Sequence, residues 1–195
     1  MIARSSRYRL LAAATLAALM VTGCATTKST RAEPLQSTGI ITDVKGCTVL
    51  TVMPFSVPAD SAATAETGKA FSNDIAGRLR GDFGPLFDSV ETADAARGVD
   101  GECLFEGAIT KYMPGNRAVR LATLPGVGSV HFEGNIKVID SASGRELLAA
   151  PFDKLWAFSG VIGASKGIAN LEKETAAAAA ATVARAKGWE PPPAQ

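Results

Sequence analysis

Gly128-Ser129-Val130-His131-Phe132-Glu133-Gly134-Asn135-Ile136-Lys137-Val138-Ile139-Asp140 alternates between apolar and polar residues over most of its length. Val130, Phe132, Ile136 and Val138 fall on one side, and His131, Glu133, Asn135 and Lys137 on the other. A period of two puts successive side chains on opposite faces, so the segment predicts an antiparallel strand with one wet face. Ser141-Ala142-Ser143-Gly144 supplies a hairpin loop. The return strand is Arg145–Phe158, interrupted near Pro151, where a missing donor suits an edge or a bulge.

Upstream of this hairpin, Leu104–Tyr112 reads as a strand closed by Pro114-Gly115. Cys47–Phe55 is a nearly continuous apolar run, the pattern of a strand covered on both faces. A helix is expected over Ala63–Arg80, with Phe71, Ile75 and Leu79 four apart on one face and Gly81 and Gly84-Pro85 ending it. Leu86–Val90 is a short strand, parallel to the first by the usual crossover. Downstream, the loop Ser159–Gly163 leads into a long helix from about Ser165 to Lys187. Ile168, Leu171, Thr175, Ala179, Thr182, Val183 and Ala186 line one side of it. The alanine tract Ala176–Ala181 gives it high propensity and a thin profile. The expected fold is therefore α/β (α+β): a mixed sheet of about five strands in the order β-α-β-β-β-β-α, with two helices packed on it.

The amino terminus reads as an address. Arg4, Arg7 and Arg9 precede an apolar run, Leu10–Met20, too short to span a bilayer comfortably. Val21-Thr22-Gly23-Cys24 resembles the lipobox of bacterial lipoproteins. That resemblance implies a signal peptide over residues 1–23 and a thioether-linked diacylglycerol plus an amide-linked acyl chain (a palmitate in kind) on Cys24. Two chains anchor stably, each buried methylene contributing about 0.8 kcal/mol. Ala25, in place of a retention aspartate, favours the outer membrane. The polar segment 24–38 is a tether, residues 39–188 form a single domain, and residues 189–195 are a proline-rich tail.

Without its first 23 residues, which carry three of 20 basic and none of 19 acidic groups, the chain has a net side-chain charge of −2. That excludes a general nucleic-acid or anionic-lipid binder built on a clustered basic face. With Cys24 lipidated, Cys47 and Cys103 remain, an even pair in an oxidising compartment. They can be bridged if their two strands run parallel as neighbours; two buried free thiols are the alternative.

The residues Leu104-Phe105-Glu106-Gly107-Ala108-Ile109-Thr110, Gly115, Arg120, Gly126-Val127-Gly128, the strand closing on Asp140, and Ser143-Gly144 resemble domain-of-unknown-function family 4410. Val52-Met53-Pro54-Phe55 resembles that family's first strand. These are exported lipoproteins of Gram-negative bacteria, and their domain is similar to the amino-terminal domain of TolB and the periplasmic domain of the curli secretion lipoprotein. The resemblance runs from about Cys47 to Lys187. It implies assembly or protein contact and carries no catalytic residues. Two departures stand out: Cys103 opens a strand where a polar residue is expected, and Leu121–Pro125 looks like extra loop.

No catalytic constellation is legible. Gly160–Gly167 (GVIGASKG) lacks the Gly-Lys-Ser/Thr of a phosphate loop, with Gly167 at the hydroxyl position. His131, the single histidine, has no nucleophile motif beside it and reads as a solvated surface residue. One histidine and no carboxylate cluster at ligand spacing leave no metal site and no cofactor. Glu102 and Glu106 would lie about 13 Å apart on one strand face, too far for a glycosidase pair, and read as solvated surface. Trp156 and Phe158 offer an aromatic pair, for partner contact or for packing. A pore built from one hairpin per subunit finds no aromatic girdle flanking Val130–Val138. The resulting expectation is a non-enzymatic binding or assembly module of the cell envelope, anchored through Cys24 to the outer membrane, facing the periplasm and an unidentified envelope protein. The alternative is a subunit of an oligomeric outer-membrane export complex.

Overall fold

Five strands lie side by side in the order β2-β1-β3-β4-β5 in the computed structural model, which describes residues 32–36, 44–122, 126–158 and 160–191. The expected signal peptide, the lipidated Cys24, most of the tether 24–38 and the tail beyond residue 191 lie outside the described residues. The strands are β1 (Val49–Val52), β2 (Ser89–Thr92), β3 (Glu102–Met113), β4 (Val130–Asp140) and β5 (Glu146–Trp156). β1 runs parallel to both β2 and β3, whereas β3–β4 and β4–β5 are antiparallel. The sheet is mixed, as expected.

Two long helices complete the architecture. α1 (Ala65–Phe83) starts at Thr64, whose hydroxyl accepts from the Thr67 amide while the Thr67 hydroxyl accepts from the Thr64 amide. This reciprocal cap satisfies two donors that a helix start leaves open. The helix runs on through Gly81, because Phe83 packs edge-on against Trp189 at 5.1 Å and rewards the extra turn. α4 (Ile168–Ala186) lies beside α1 and across β4 and β5. Its alanines are mostly buried, so the small side chains let the helix sit close to its neighbours.

The core lies between these helices and one sheet face. Phe71 of α1 meets Phe55 and Phe132 edge-on, each at 5.0 Å, and Phe152 of β5 stands 5.0 Å from Phe132. Gly134 interrupts the apolar side of β4 because the Phe152 ring occupies its place; a Cβ there would lie 2.1 Å from the Ala108 carbonyl oxygen. The opposite face, bearing Glu106, Lys111, His131, Glu133, Asn135, Lys137 and Asp153, carries no packed helix among the described residues.

Three local expectations are corrected. β5 is not broken at Pro151, since this outermost strand needs no donor on its free side; the bulge lies instead at Val138/Ile139. Residues 160–163, expected as loop, belong to a short helix α3 (Gly160–Ser165), and the long helix, expected from about Ser165, begins only at Ile168. Leu121 and Ala122, the first two residues of the apparent extra loop, instead close another short helix, α2 (Arg117–Ala122), which packs on α3; residues 123–125 lie outside the described residues. Gly115 permits the turn into α2: its φ is +66° and a Cβ would lie 2.5 Å from the Gly128 carbonyl oxygen.

Candidate functional site

The first candidate pair separates. Glu102 is 1% exposed, which overturns its reading as solvated surface. The Thr51 hydroxyl donates to one of its oxygens at 2.6 Å, the Gly98 amide to the other at 2.7 Å, and the Arg97 amide reaches both at 2.9 and 3.0 Å. The Ser141 hydroxyl adds a bond at 3.3 Å. Burial alone would raise the carboxyl; the Thr51, Arg97, Gly98 and Ser141 donors reverse that and hold it at about 2. Glu102 thus ties β1, the loop before β3 and the β4–β5 hairpin together. Glu106 stays half-buried on the uncovered face. Neither carboxyl serves the other.

Cys47 and Cys103 are joined by a disulfide with their Cα atoms 5.5 Å apart. The parallel β1–β3 register, which sets Leu50 opposite Cys103, brings them together. Lys187 at the end of α4 donates to the carbonyls of Lys45 (2.8 Å) and Cys47, and its ammonium lies 5.4 Å from the Phe87 ring centre. The disulfide, Glu102 and Lys187 all act at the end of the molecule where the parallel strands begin.

On the uncovered face, strand pairing assembles a cluster that spacing along the chain does not reveal. His131 Nε2 lies 2.7 Å from Asp153 Oδ1 and 3.8 Å from Glu133 Oε2. Glu133 and Asp153 are cross-strand partners, and His131 is two residues away on the same face. His131 is therefore half-buried among carboxylates, not a solvated residue. One ligand atom from each residue falls within 4.8 Å of the others, so the three could hold a divalent cation. The imidazole–carboxylate hydrogen bond also completes the cluster without one.

The far end of the sheet is built differently. Arg120 of α2 is buried, and its guanidinium donates to the carbonyls of Gly128 (2.6 Å) and Lys166 (2.9 Å). It joins the turn before β4 to the link between α3 and α4. The Gly126 amide donates to the Ala157 carbonyl at 2.9 Å, closing the same region across the end of β5. Trp156 and Phe158 meet at a tilt of 53° with ring centres 4.7 Å apart, and the Lys166 ammonium lies 4.8 Å from the Trp156 ring centre. Trp156 is half-buried and Phe158 exposed, so one ring packs and the other faces out. Leu121 on α2, Val127 in the turn before β4, and Val161 and Ile162 on α3 are exposed as well.

Shallow hollows lie elsewhere among the described residues. One, of about 220 Å³, lies where β1 and β2 end, beside Lys69, Asn73 and Asp94. Its Ser72 hydroxyl is committed to structure, accepting from the Phe55 amide at 3.0 Å and donating toward the Met53 and Gly68 carbonyls at 2.9 Å. The other, of about 380 Å³, lies on the uncovered face between Met53, Glu106, Asn135 and Lys137. Neither places a hydroxyl nucleophile beside His131.

The family model "Domain of unknown function (DUF4410)" matches residues 50–160. No sequence relative was found among curated proteins. Among solved structures, a dodecamer of PelC from Paraburkholderia phytofirmans superposes with a TM-score of 0.51 at 15% identity, covering 78% of this chain and 97% of that one. A hypothetical protein of Chlamydia trachomatis gives 0.42 at 14% identity, covering 72% and 95%. A protein of Xanthomonas campestris from a different family of unknown function, DUF330, gives 0.38 at 14%, covering 80% and 92%. The likeness to PelC is one of fold.

Proposed function

This chain belongs to the DUF4410 family, and from that premise we propose that it is a lipid-anchored binding or assembly module of the cell envelope, working by contact and not by catalysis. The observation that carries this reading is the uncovered sheet face. Three strands of eleven or twelve residues present alternating charges there, with Lys137 opposite Glu106 and Lys111 opposite Glu133. Such a face is a recognition platform, since charge patterns select partners and orient their approach. Anchorage comes from Cys24, with the outer membrane as destination and the periplasm as the space faced. Among the described residues no helix is long and apolar enough to cross a membrane.

The test is photo-cross-linking in cells. A probe at Lys137 should capture a discrete envelope protein, whereas a probe at Glu66 on α1 should not. Equal capture at both positions, or none at Lys137, would refute the platform. Palmitate incorporation that disappears in Cys24→Ser tests the anchor separately.

A second reading is favoured by the PelC likeness, because that protein assembles as a dodecamer. The chain would then be a subunit of an oligomeric outer-membrane export complex. Sizing of the detergent-solubilised protein separates the two: a ring elutes as a large, stable oligomer, an adaptor as a monomer.

A further inference from the structure

We propose that the far end of the domain, where α2 and α3 lie, rests on the anionic phospholipid leaflet that holds the anchor, so that lipid contact orients the protein. This goes beyond the anchor reading of Cys24 but rests on it. Val161 is 82% exposed, Ile162 66%, Phe158 56% and Leu121 55%. These bulky apolar side chains stand on two short helices packed against each other, and just past the end of β5, which the Gly126–Ala157 hydrogen bond ties to the turn before β4. Val127 extends the patch.

Charge at this end differs from the rest of the chain. Residues 107–132 and 154–171 contain no aspartate or glutamate, yet they carry Lys111, Arg117, Arg120, Lys154 and Lys166. Arg120 is engaged with backbone carbonyls, and Lys166 is paired with Glu174 at 2.6 Å. Arg117 is exposed on α2, beside the apolar patch, and Lys154 is half-buried two residues before Trp156. Apolar side chains flanked by cations, with a Trp at the boundary, match an anionic bilayer interface. Acidic groups would oppose that contact; the segments that carry the patch have none, and the carboxylates that follow them, Glu172 and Glu174, are engaged by Tyr112 and Lys166.

The tether has the length required. Its described end, Ala32–Gln36, lies on α4, where the Leu35 amide donates to the Thr182 hydroxyl at 2.8 Å. Thr182 is fourteen residues beyond the start of α4, so that start, where the link from α3 arrives, lies about 21 Å away along the helix. The eight residues from Cys24 to Ala32 can extend over roughly 28 Å. The anchor and the patch can therefore reach the same leaflet.

The experiment uses the lipidated chain carrying Val161→Cys labelled with an environment-sensitive dye, in vesicles of phosphatidylethanolamine and phosphatidylglycerol. We expect emission shifted to the blue, most of it lost when the lipids carry brominated acyl chains, and weaker on omission of phosphatidylglycerol. The same dye at Lys137→Cys should remain water-like, and Ile162→Glu should release the Val161 probe. A chain that floats with the vesicles but keeps the Val161 probe water-like overturns the proposal and leaves the anchor intact. Failure to float overturns both. A blue shift insensitive to bromolipid, with energy transfer between labelled copies, overturns it in favour of self-association.

Discussion

The two ends of this domain solve opposite problems with similar residue types. At the end where the parallel strands begin, a carboxylate, a disulfide and a lysine are turned inward. Glu102 collects donors from three segments, Cys47 and Cys103 join two strands, and Lys187 closes over two carbonyls. At the far end the arginine is turned inward, but Phe158, Val161 and Ile162 point out. Polar groups there hold the backbone while apolar groups face solvent. The difference teaches that internal cross-links and exposed apolar side chains occupy opposite poles, with the sheet connecting them.

Substitutions can break that contrast, beginning at the locked pole. Cys103→Ser should cost the most, about 4 kcal/mol for a closed loop spanning 56 residues in the chain-entropy model. Urea unfolding with and without reductant checks it: reductant should weaken the parent chain and leave the variant unchanged. Glu102→Gln should cost about 2 kcal/mol, because charge-assisted bonds to amides and hydroxyls are lost in a buried place. Its pH dependence has a definite sign. The folded carboxyl, held at about 2, lies below its ordinary value of 4.5. Its stabilisation is therefore complete above about 4.5 and is lost as pH falls toward 2. Unfolding midpoints of parent and variant should converge over that interval, and a constant gap would contradict the assignment.

On the uncovered face the expected effects shrink. His131→Ala should change stability by less than about 1 kcal/mol, since Asp153 is largely and Glu133 partly solvated. Denaturant titration checks this, and a larger loss would mean that the cluster supports the sheet. Val161→Ser should be the mildest, within about 0.5 kcal/mol, because the side chain is mostly in water. A large loss there would erase the contrast between the poles.

Much of the architecture was legible because periodicity acts locally. The alternation from Val130 to Val138 predicted the buried and wet faces of β4 residue by residue, and Phe71, Ile75 and Leu79 marked the inner side of α1. The parallel neighbours that a Cys47–Cys103 bridge requires are present. Glu102 was misread because its donors come from residues 51, 97, 98 and 141, which no local pattern connects. The His131 cluster was missed for a related reason: Asp153 joins it through antiparallel pairing, twenty-two residues away. Helices α2 and α3 are too short for a period to emerge, and glycines at 160 and 163 read as loop.

The sequence by itself therefore determined the order of the strands and the two long helices, the inner faces of α1, β4 and α4, and the family to which the chain belongs. These follow from side-chain spacing against the 3.6 and 2.0 periods of helix and strand, which a single segment contains. Only the tertiary structure decided which polar groups are buried, which apolar groups are left outside, and which residues meet across strands. A carboxylate becomes a clamp, or an isoleucine an exposed surface, only when distant segments arrive or fail to arrive around it.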